Sequence, residues 1–259
     1  MKYVLGIDLH GTLLDDDWEI KENIKGKLIS SLKSIKNFCT VYICSGNDLA
    51  FVKKYIPEEI LRSFEGYVLE TGCVVSDGKK EEIIIPKNLI KDIKKLENIL
   101  KDKNFEEVKY FARRLTTISL FTKTVTGGSD PAELYPKIKE TVKKLGYSKK
   151  VHVTHSSVAV DIIPRGHNKF SGIKHIAKGL KTIGIADSLN DIHLISNADY
   201  SFIPANVSPG LLRELKEKGK KIINMEETSR TGKEVVLQSR YKTTEAVVEI
   251  LEFINKNLI

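Results

Sequence analysis

Three short, almost uninterrupted apolar runs, "KYVLGIDL" (2–9), "CTVYIC" (39–44) and "KTIGIAD" (181–187), constrain the fold more than any other feature of this chain. They are rich in β-branched or aromatic residues and bounded by polar segments, which is how a strand buried on both faces reads. Helical periodicity fills the space between them. Ile20, Ile24, Leu28, Leu32 and Ile35 recur along one amphipathic face, and residues 169–180 form a second helix. Such alternation implies an α/β fold with one doubly wound, mostly parallel sheet.

The alternation is interrupted once. After the 39–44 strand come a short helix to about Ile56, a strand over 66–72, and a hairpin over 73–85 turning at Asp77-Gly78. From Pro86 the pattern changes to a Lys-rich helix over about 87–102 and the strand-like runs "EVKYFAR" and "TTISLFT". A second helix is capped near Ser129-Asp130-Pro131 and runs to about Leu145, and the strands "VHVTH" and "VAVDIIP" follow. This αββαββ block reads as an inserted α+β domain over 86–163, leaving 1–85 and 164–259 as the core. The strands "YSFIP" and "KKIINM" and an amphipathic C-terminal helix from about Thr243 complete the core.

A chain of 259 residues suffices for such a core and insertion. Its net charge of +8 raises the question of nucleic acid, but Lys21, Lys25, Lys33 and Lys36 sit at helical spacing and read as solvated faces. No nucleic-acid partner is expected, although a positive field would help attract a small phosphorylated substrate. The three cysteines have no metal-ligand spacing, and Cys39 and Cys44, five apart in one strand, point to opposite faces and cannot pair. Reduced core cysteines suit a cytoplasmic protein. The first apolar run is too short for a signal peptide or a membrane span, so no membrane partner is expected.

In open α/β sheets, ligands sit beyond the carboxyl ends of the strands. The residues there are Asp8, then Ser45-Gly46-Asn47, then Asp187 with Ser188, Asn190 and Asp191, while Lys169 opens the helix after the insertion. Carboxylates suit a divalent metal with hard oxygen ligands. A lysine, a hydroxyl and helix N-terminal amides suit phosphate oxygens. An aspartate is also a competent nucleophile on phosphorus. Each residue has a plainer role open to it: Asp187, Asn190, Asp191 and Ser45 as helix caps, Asp8 in an Asx-turn with Gly11, Lys169 as a surface lysine.

Taken in order, "DLHGT", "CSGN", "NK" and "ADSLND" resemble the four motifs of the haloacid dehalogenase-like phosphatase superfamily, over nearly the whole chain. The resemblance implies a Rossmann-like core, with the insertion as a C2-type cap, similar to archaeal phosphoglycolate phosphatases and sugar-phosphate phosphatases. It implies Asp8 as nucleophile, and Ser45, Gly46, Lys169 and Asn190 around the phosphate. It further implies Mg²⁺ held by Asp8, the backbone carbonyl of His10 and Asp187, with Asp191 supporting it. Cap residues Arg113, Arg114, Lys123 and His155, and Arg165 at the return to the core, are candidates for reading the leaving group, against the plainer reading that they are surface residues of the cap.

His10 departs from the pattern, because most members carry an aspartate there as the acid/base. The carbonyl of His10 can still serve the metal, so the change falls on proton transfer, typically worth 10²–10⁴-fold. Histidine can itself be the acid/base; or the leaving group needs no proton; or turnover is slow or absent. Its charge state is left open, since carboxylates and metal act on it in opposite directions. Ala186, where glycine is usual, is a small change, and Asn47 in place of an arginine fits the short-cap branch. The expected function is a Mg²⁺-dependent phosphatase of a small metabolite, phosphoglycolate or a sugar phosphate, acting as monomer or homodimer. A phosphomutase of the same fold and a weakly active or inactive phospholigand-binding protein are the alternatives.

Overall fold

The structure, a computed structural model, describes residues 2–258 apart from 16, 125, 126, 157, 229 and 230. Its contacts divide the chain into two compact units, Met1–Glu82 with Asn168–Ile259, and Ile83–His167.

The first unit begins with β1 (Tyr3–Asp8), α1 (Glu22–Ile35), β2 (Cys39–Cys44), α2 (Leu49–Tyr55), α3 (Glu58–Leu61), β3 (Gly66–Leu69) and β4 (Val74–Ser76), and β5 (Glu81–Ile83) leads out of it. The second contains α4 (Lys87–Asp102), β6 (Tyr110–Phe111), β7 (Ile118–Phe121), β8 (Lys123–Thr124), β9 (Gly127–Gly128), α5 (Pro131–Lys144), β10 (Val151–His155) and β11 (Ala159–Pro164). The chain returns through α6 (Lys169–Ala177), β12 (Lys181–Ile185), α7 (Ile192–Asn197), β13 (Tyr200–Ile203), α8 (Pro209–Glu217), β14 (Lys221–Asn224), β15 (Val235–Gln238) and α9 (Thr243–Asn257).

One nine-stranded sheet has the order β14-β15-β13-β12-β1-β2-β3-β4-β5. From β14 to β3 every pair is parallel, and β4 turns antiparallel on β3. This is the mostly parallel α/β sheet expected from the alternation. The central strand β1 is buried at all six positions, flanked by β12 and β2 in register from Tyr3↔Lys181 and Tyr3↔Cys39. Such burial explains its near-continuous apolar run. Helices α1 and α9 pack together, with Leu28, Leu32, Ile35, Val247, Ile250 and Ile254 joining the core beneath β1 and β2.

The insertion carries an antiparallel sheet, β10-β11-β7-β6. Helix α5 packs across β10 and β11, burying Leu134, Ile138 and Val142. Its cap is Asp130, whose side chain accepts from Ala132 N at 3.0 Å, with Pro131 in the first turn.

Some expected boundaries move for local reasons. The strand over 66–72 stops at Leu69, because Glu70, Thr71 and Gly72 take positive φ (45°, 57° and 88°) and leave the extended conformation. The run "EVKYFAR" pairs only at Tyr110–Phe111. The helix expected to 180 ends at Ala177, where Lys178 is left-handed (φ 48°). Cys39, Cys44 and Cys73 are buried and form no disulfide among the described residues. Among the described residues no helix is long and apolar enough to cross a membrane.

Candidate active site

Because β1, β2 and β12 are adjacent and parallel, their carboxyl ends deliver Asp8, Ser45 and Asp187 to one edge of the sheet. The loop leaving β1 is tightly closed: Leu13 N donates to Asp8 O at 3.2 Å and to Leu9 O at 3.0 Å, and Gly11 N donates to Leu14 O at 3.0 Å. Gly11 has φ +74°, a conformation L-residues rarely adopt, and a Cβ there would stand 2.5 Å from Asp187 Oδ2. Thr12, fully buried, donates its hydroxyl to Asp187 Oδ1 at 3.0 Å and to Asp8 Oδ2 at 3.4 Å. Asn206 clamps the loop, donating to Gly11 O at 2.7 Å while its own oxygen accepts from Thr243 N at 3.0 Å.

Lys169 reaches this edge from the first turn of α6. Asn168 caps the helix, accepting from Ser171 N at 3.0 Å, while Ser171 Oγ accepts from Asn168 N at 3.0 Å, a reciprocal capping box. The helix start presses against the left-handed turn at residues 70–72, where a Cβ on Gly72 would overlap the carbonyl oxygen of Asn168. Gly172 allows the same approach one turn later, against Val68. So placed, Lys169 Nζ lies 2.5 Å from Asp8 Oδ1 and 2.7 Å from Asp191 Oδ1, and all three side chains are almost wholly buried. Ser188 Oγ supports Asp191 Oδ2 at 3.1 Å and also donates to Asn190.

Asp8, Asp187 and Asp191 each offer a carboxylate oxygen within 4.8 Å of the others. Crowding and burial alter their proton affinities. Asp187 is pushed up to about 8, chiefly by desolvation and then by the negative charges of Asp8 and Asp191. Asp191 is pushed up to about 6, by desolvation and then by Asp8, against the pull of Lys169. Burial works against the charge on Lys169, yet Asp191 and Asp8 outweigh it and the ammonium is held charged above its ordinary range. One lysine thus faces three close carboxylates. Three hard oxygen donors with excess negative charge fit a divalent cation such as Mg²⁺.

Ser45 is buried at the end of β2, and its Oγ accepts from Asn47 N at 3.0 Å. Its backbone joins the same turn, since Ser45 N donates to Val68 O and Thr71 N to Ser45 O. Gly46 leaves room beside Thr71 Oγ1, 3.5 Å from where a Cβ would stand. Asn190 is exposed.

His10 lies in surroundings that the motif did not announce. Its ring packs 5.1 Å from Trp18 and 5.2 Å from Phe51, centroid to centroid, and these rings join Tyr55 in one aromatic cluster. Among the described residues, Nε2 of His10 is buried without a hydrogen-bond partner. Burial lowers the proton affinity of the ring; Asp8 opposes that effect and Lys169 adds to it. Desolvation, which was not among the influences weighed above, is the largest of them in the metal-free protein. Trp18, Phe51, Asn206 and Gly72 lie outside the four motifs, and within "DLHGT" nothing marks Thr12 as the link between two carboxylates. Only the helical spacing of Phe51 and Tyr55 hinted at a shared face.

The leaving-group candidates belong to the second unit. Arg113 is exposed; Arg114 is buried, and its guanidinium donates to Arg113 O at 3.3 Å. His155 packs its ring 5.0 Å from Tyr135, and Arg165 Nε donates to Ser148 O at 2.6 Å. The side chain of Lys123 lies outside the described residues.

The fold is shared with solved structures. A Thermoplasma acidophilum protein is 17% identical over 98% of this chain and 99% of its own, with a TM-score of 0.66. A HAD/COF-like hydrolase from Plasmodium vivax is 18% identical over 99% and 96%, with a TM-score of 0.68. The sucrose-phosphatase of Synechocystis sp. PCC6803, solved with sucrose and phosphate, is 17% identical over 97% of each chain, with a TM-score of 0.68. No curated protein matches the chain at a significant level. The family model for haloacid dehalogenase-like hydrolases matches residues 5–126 and 117–229. With that match spanning most of its length, the chain belongs to the haloacid dehalogenase-like hydrolase family.

Proposed function

We propose that the protein is a Mg²⁺-dependent phosphatase that hydrolyses a small phosphorylated metabolite through an aspartyl-phosphate on Asp8. The observation that carries this reading is the cluster of Asp8, Asp187 and Asp191 around Lys169 at the carboxyl edge of the sheet. Asp8, Asp187 and the backbone carbonyl of His10 would hold Mg²⁺, with Asp191 in support. When bound, the ion would neutralise the carboxylates and draw charge from a phosphoryl oxygen.

The chain's own residues supply the rest. Lys169 offers its ammonium to phosphoryl oxygens and offsets the negative charge of the nearby Asp8, so that the carboxylate can approach an anionic phosphorus. Ser45, the amide of Gly46 and Asn190 are the further phosphate contacts. Thr12 fixes Asp187 and Asp8 relative to each other. His10 takes the acid/base role, giving a proton to the leaving oxygen and then taking one from the water that opens the intermediate. The inserted unit serves as a cap that chooses the substrate, with Arg113, Arg114, His155 and Arg165 as its candidate contacts. A phosphatase solved with a sugar and phosphate shares the fold, and a sugar phosphate stands beside phosphoglycolate as the substrate class of this reading.

Phosphate release from a panel of sugar and alkyl phosphates, with and without Mg²⁺, tests the reading in wild type and Asp8→Asn. Metal-dependent turnover that survives Asp8→Asn would remove Asp8 as nucleophile. Isomerisation of a sugar phosphate with little free phosphate would make the protein a mutase.

A further inference from the structure

We propose that Trp18 and Phe51 form a stacking platform for the leaving group beside Asp8, and that the group it takes is a sugar ring presenting its C–H face. This rests on the phosphatase reading above for where the leaving group lies, and it narrows the substrate to a cyclic sugar phosphate.

Each ring of the platform comes from one of two loops that meet at the candidate phosphate site. Trp18 stands in the segment that follows the Asp8 loop, where Trp18 N donates to Asp15 O at 3.1 Å and Glu19 N to Asp15 Oδ1 at 3.0 Å. Phe51 stands in the first turn of α2, directly after Ser45-Gly46-Asn47, and its N–H donates to the capping Asp48 Oδ1 at 2.9 Å. The two rings are 5.4 Å apart, and His10 touches both, at 5.1 Å from Trp18 and 5.2 Å from Phe51. The His10 ring also lies within reach of the charges of Asp8 and Lys169, so the aromatic cluster begins where the carboxylate cluster ends. Tyr55 buttresses the pair, 5.1 Å from Trp18 and 4.5 Å from Phe51, and its own ring is already engaged by Lys54 Nζ at 5.0 Å.

Two further observations set these rings apart from core packing. Trp18 and Phe51 are each only partly buried, so both keep apolar surface in contact with solvent next to the site. Trp18 also takes a left-handed backbone conformation, φ 64°, which a bulky side chain rarely adopts. The turn itself calls for glycine or asparagine, so the reason for an indole there lies in what its ring meets.

Aromatic faces carry partial negative charge, and they attract the slightly positive C–H bonds that a pyranose or furanose gathers on one face. Apolar and aromatic walls with a few placed polar groups are the usual lining of a small-molecule site. The two-carbon carboxylate of phosphoglycolate has no such apolar face, and its charge is unfavourable against the faces of an indole and a phenyl ring. The platform therefore selects for a ring, while the carboxylates, the metal and Lys169 attend to the phosphate.

Phosphate release from hexose and pentose phosphates, glycerol 3-phosphate and phosphoglycolate provides the test. A cyclic sugar phosphate should exceed both acyclic esters at least about tenfold in kcat/KM. Trp18→Leu and Phe51→Leu should each raise KM for that sugar phosphate at least about tenfold more than for glycerol 3-phosphate, whereas Trp18→Phe and Phe51→Tyr, which keep a ring, should hold the wild-type ratio. A preference for the acyclic esters, or equal changes on both kinds of ester, overturns the proposal. Calorimetric binding of the same sugar phosphates and of inorganic phosphate to Asp8→Asn protein with Mg²⁺ needs no turnover. There Trp18→Leu should weaken the tightest sugar phosphate at least about tenfold more than inorganic phosphate; equal weakening, or no sugar phosphate bound more tightly than inorganic phosphate, overturns the platform. If wild type releases no phosphate from any ester, the phosphatase reading fails, while the binding ratio still decides the platform.

Discussion

Asp187 occupies the space into which a side chain on Gly11 would project: a Cβ at residue 11 would lie 2.5 Å from Asp187 Oδ2 and 2.8 Å from its Cγ. The backbone of the Asp8 loop and the carboxylate from β12 have therefore settled against each other. Gly11→Ala should cost about 1–3 kcal/mol for the left-handed conformation and weaken Mg²⁺ binding by displacing Asp187. Denaturant titration and calorimetry would show both effects. Gly26→Ala, exposed within α1 and with nothing near its Cβ, should instead stabilise by about 0.5–1 kcal/mol.

Lys169 is a lone cation among buried carboxylates, so its removal leaves Asp8 and Asp191 uncompensated. Lys169→Met should destabilise the metal-free protein by about 3–5 kcal/mol, measured by urea unfolding in a chelator. Adding Asp191→Asn to that variant should recover part of the loss, since one of the two stranded charges is then gone.

The raised proton affinities of Asp187 and Asp191 give the metal-free protein a specific pH dependence. Both carboxyls hold protons in the folded state at pH values where an unfolded aspartate has lost them. Between about pH 4 and 8 the folded state therefore binds more protons, and this contribution to stability falls as pH rises. Mg²⁺ requires the deprotonated cluster, so its binding should release protons and tighten with pH. Calorimetry in buffers of different ionisation enthalpy would count the protons. The rise in Tm produced by Mg²⁺ should be larger at pH 8 than at pH 5.5, and an increment independent of pH would refute the argument.

Gly72 controls Lys169 from a distance. A Cβ there would run into the backbone of Asn168, which cannot yield without moving the first turn of α6. Gly72→Ala, with φ +88° and this overlap, should cost about 2–5 kcal/mol. Activity should fall further than in Gly46→Ala, whose Cβ meets only Thr71 Oγ1 at an ordinary 3.5 Å. Comparing the unfolding midpoints and kcat of the two variants checks the order.

What could be read in advance follows from the range of the interactions involved. Helix α4 and strand β2 run over the residues their patterns indicated, because periodicity and burial are local signals. The α/β class followed from the alternation for the same reason. Strand β15 gave no such signal: four residues, "VVLQ", are too few to show a period, and its pairing with β13 and β14 alone makes it a strand. Residues 70–72 look like the end of a strand, but become a left-handed turn where α6 packs on them, a contact made nearly a hundred positions later. Asp8, Lys169, Asp187 and Asp191 could be singled out because each stands at a strand end or a helix start. Asn206 could not, because its partners Gly11 and Thr243 are remote in sequence and an asparagine in a loop has many uses.

Trp18 is the chain's single tryptophan, and it packs edge-on to His10, two positions beyond Asp8. The intrinsic emission of the protein is therefore a local signal from the loop beside Asp8, and not an average over the molecule. Excitation at wavelengths that only tryptophan absorbs would follow metal loading, phosphate binding and any shift of the His10 ring in real time, with no label added.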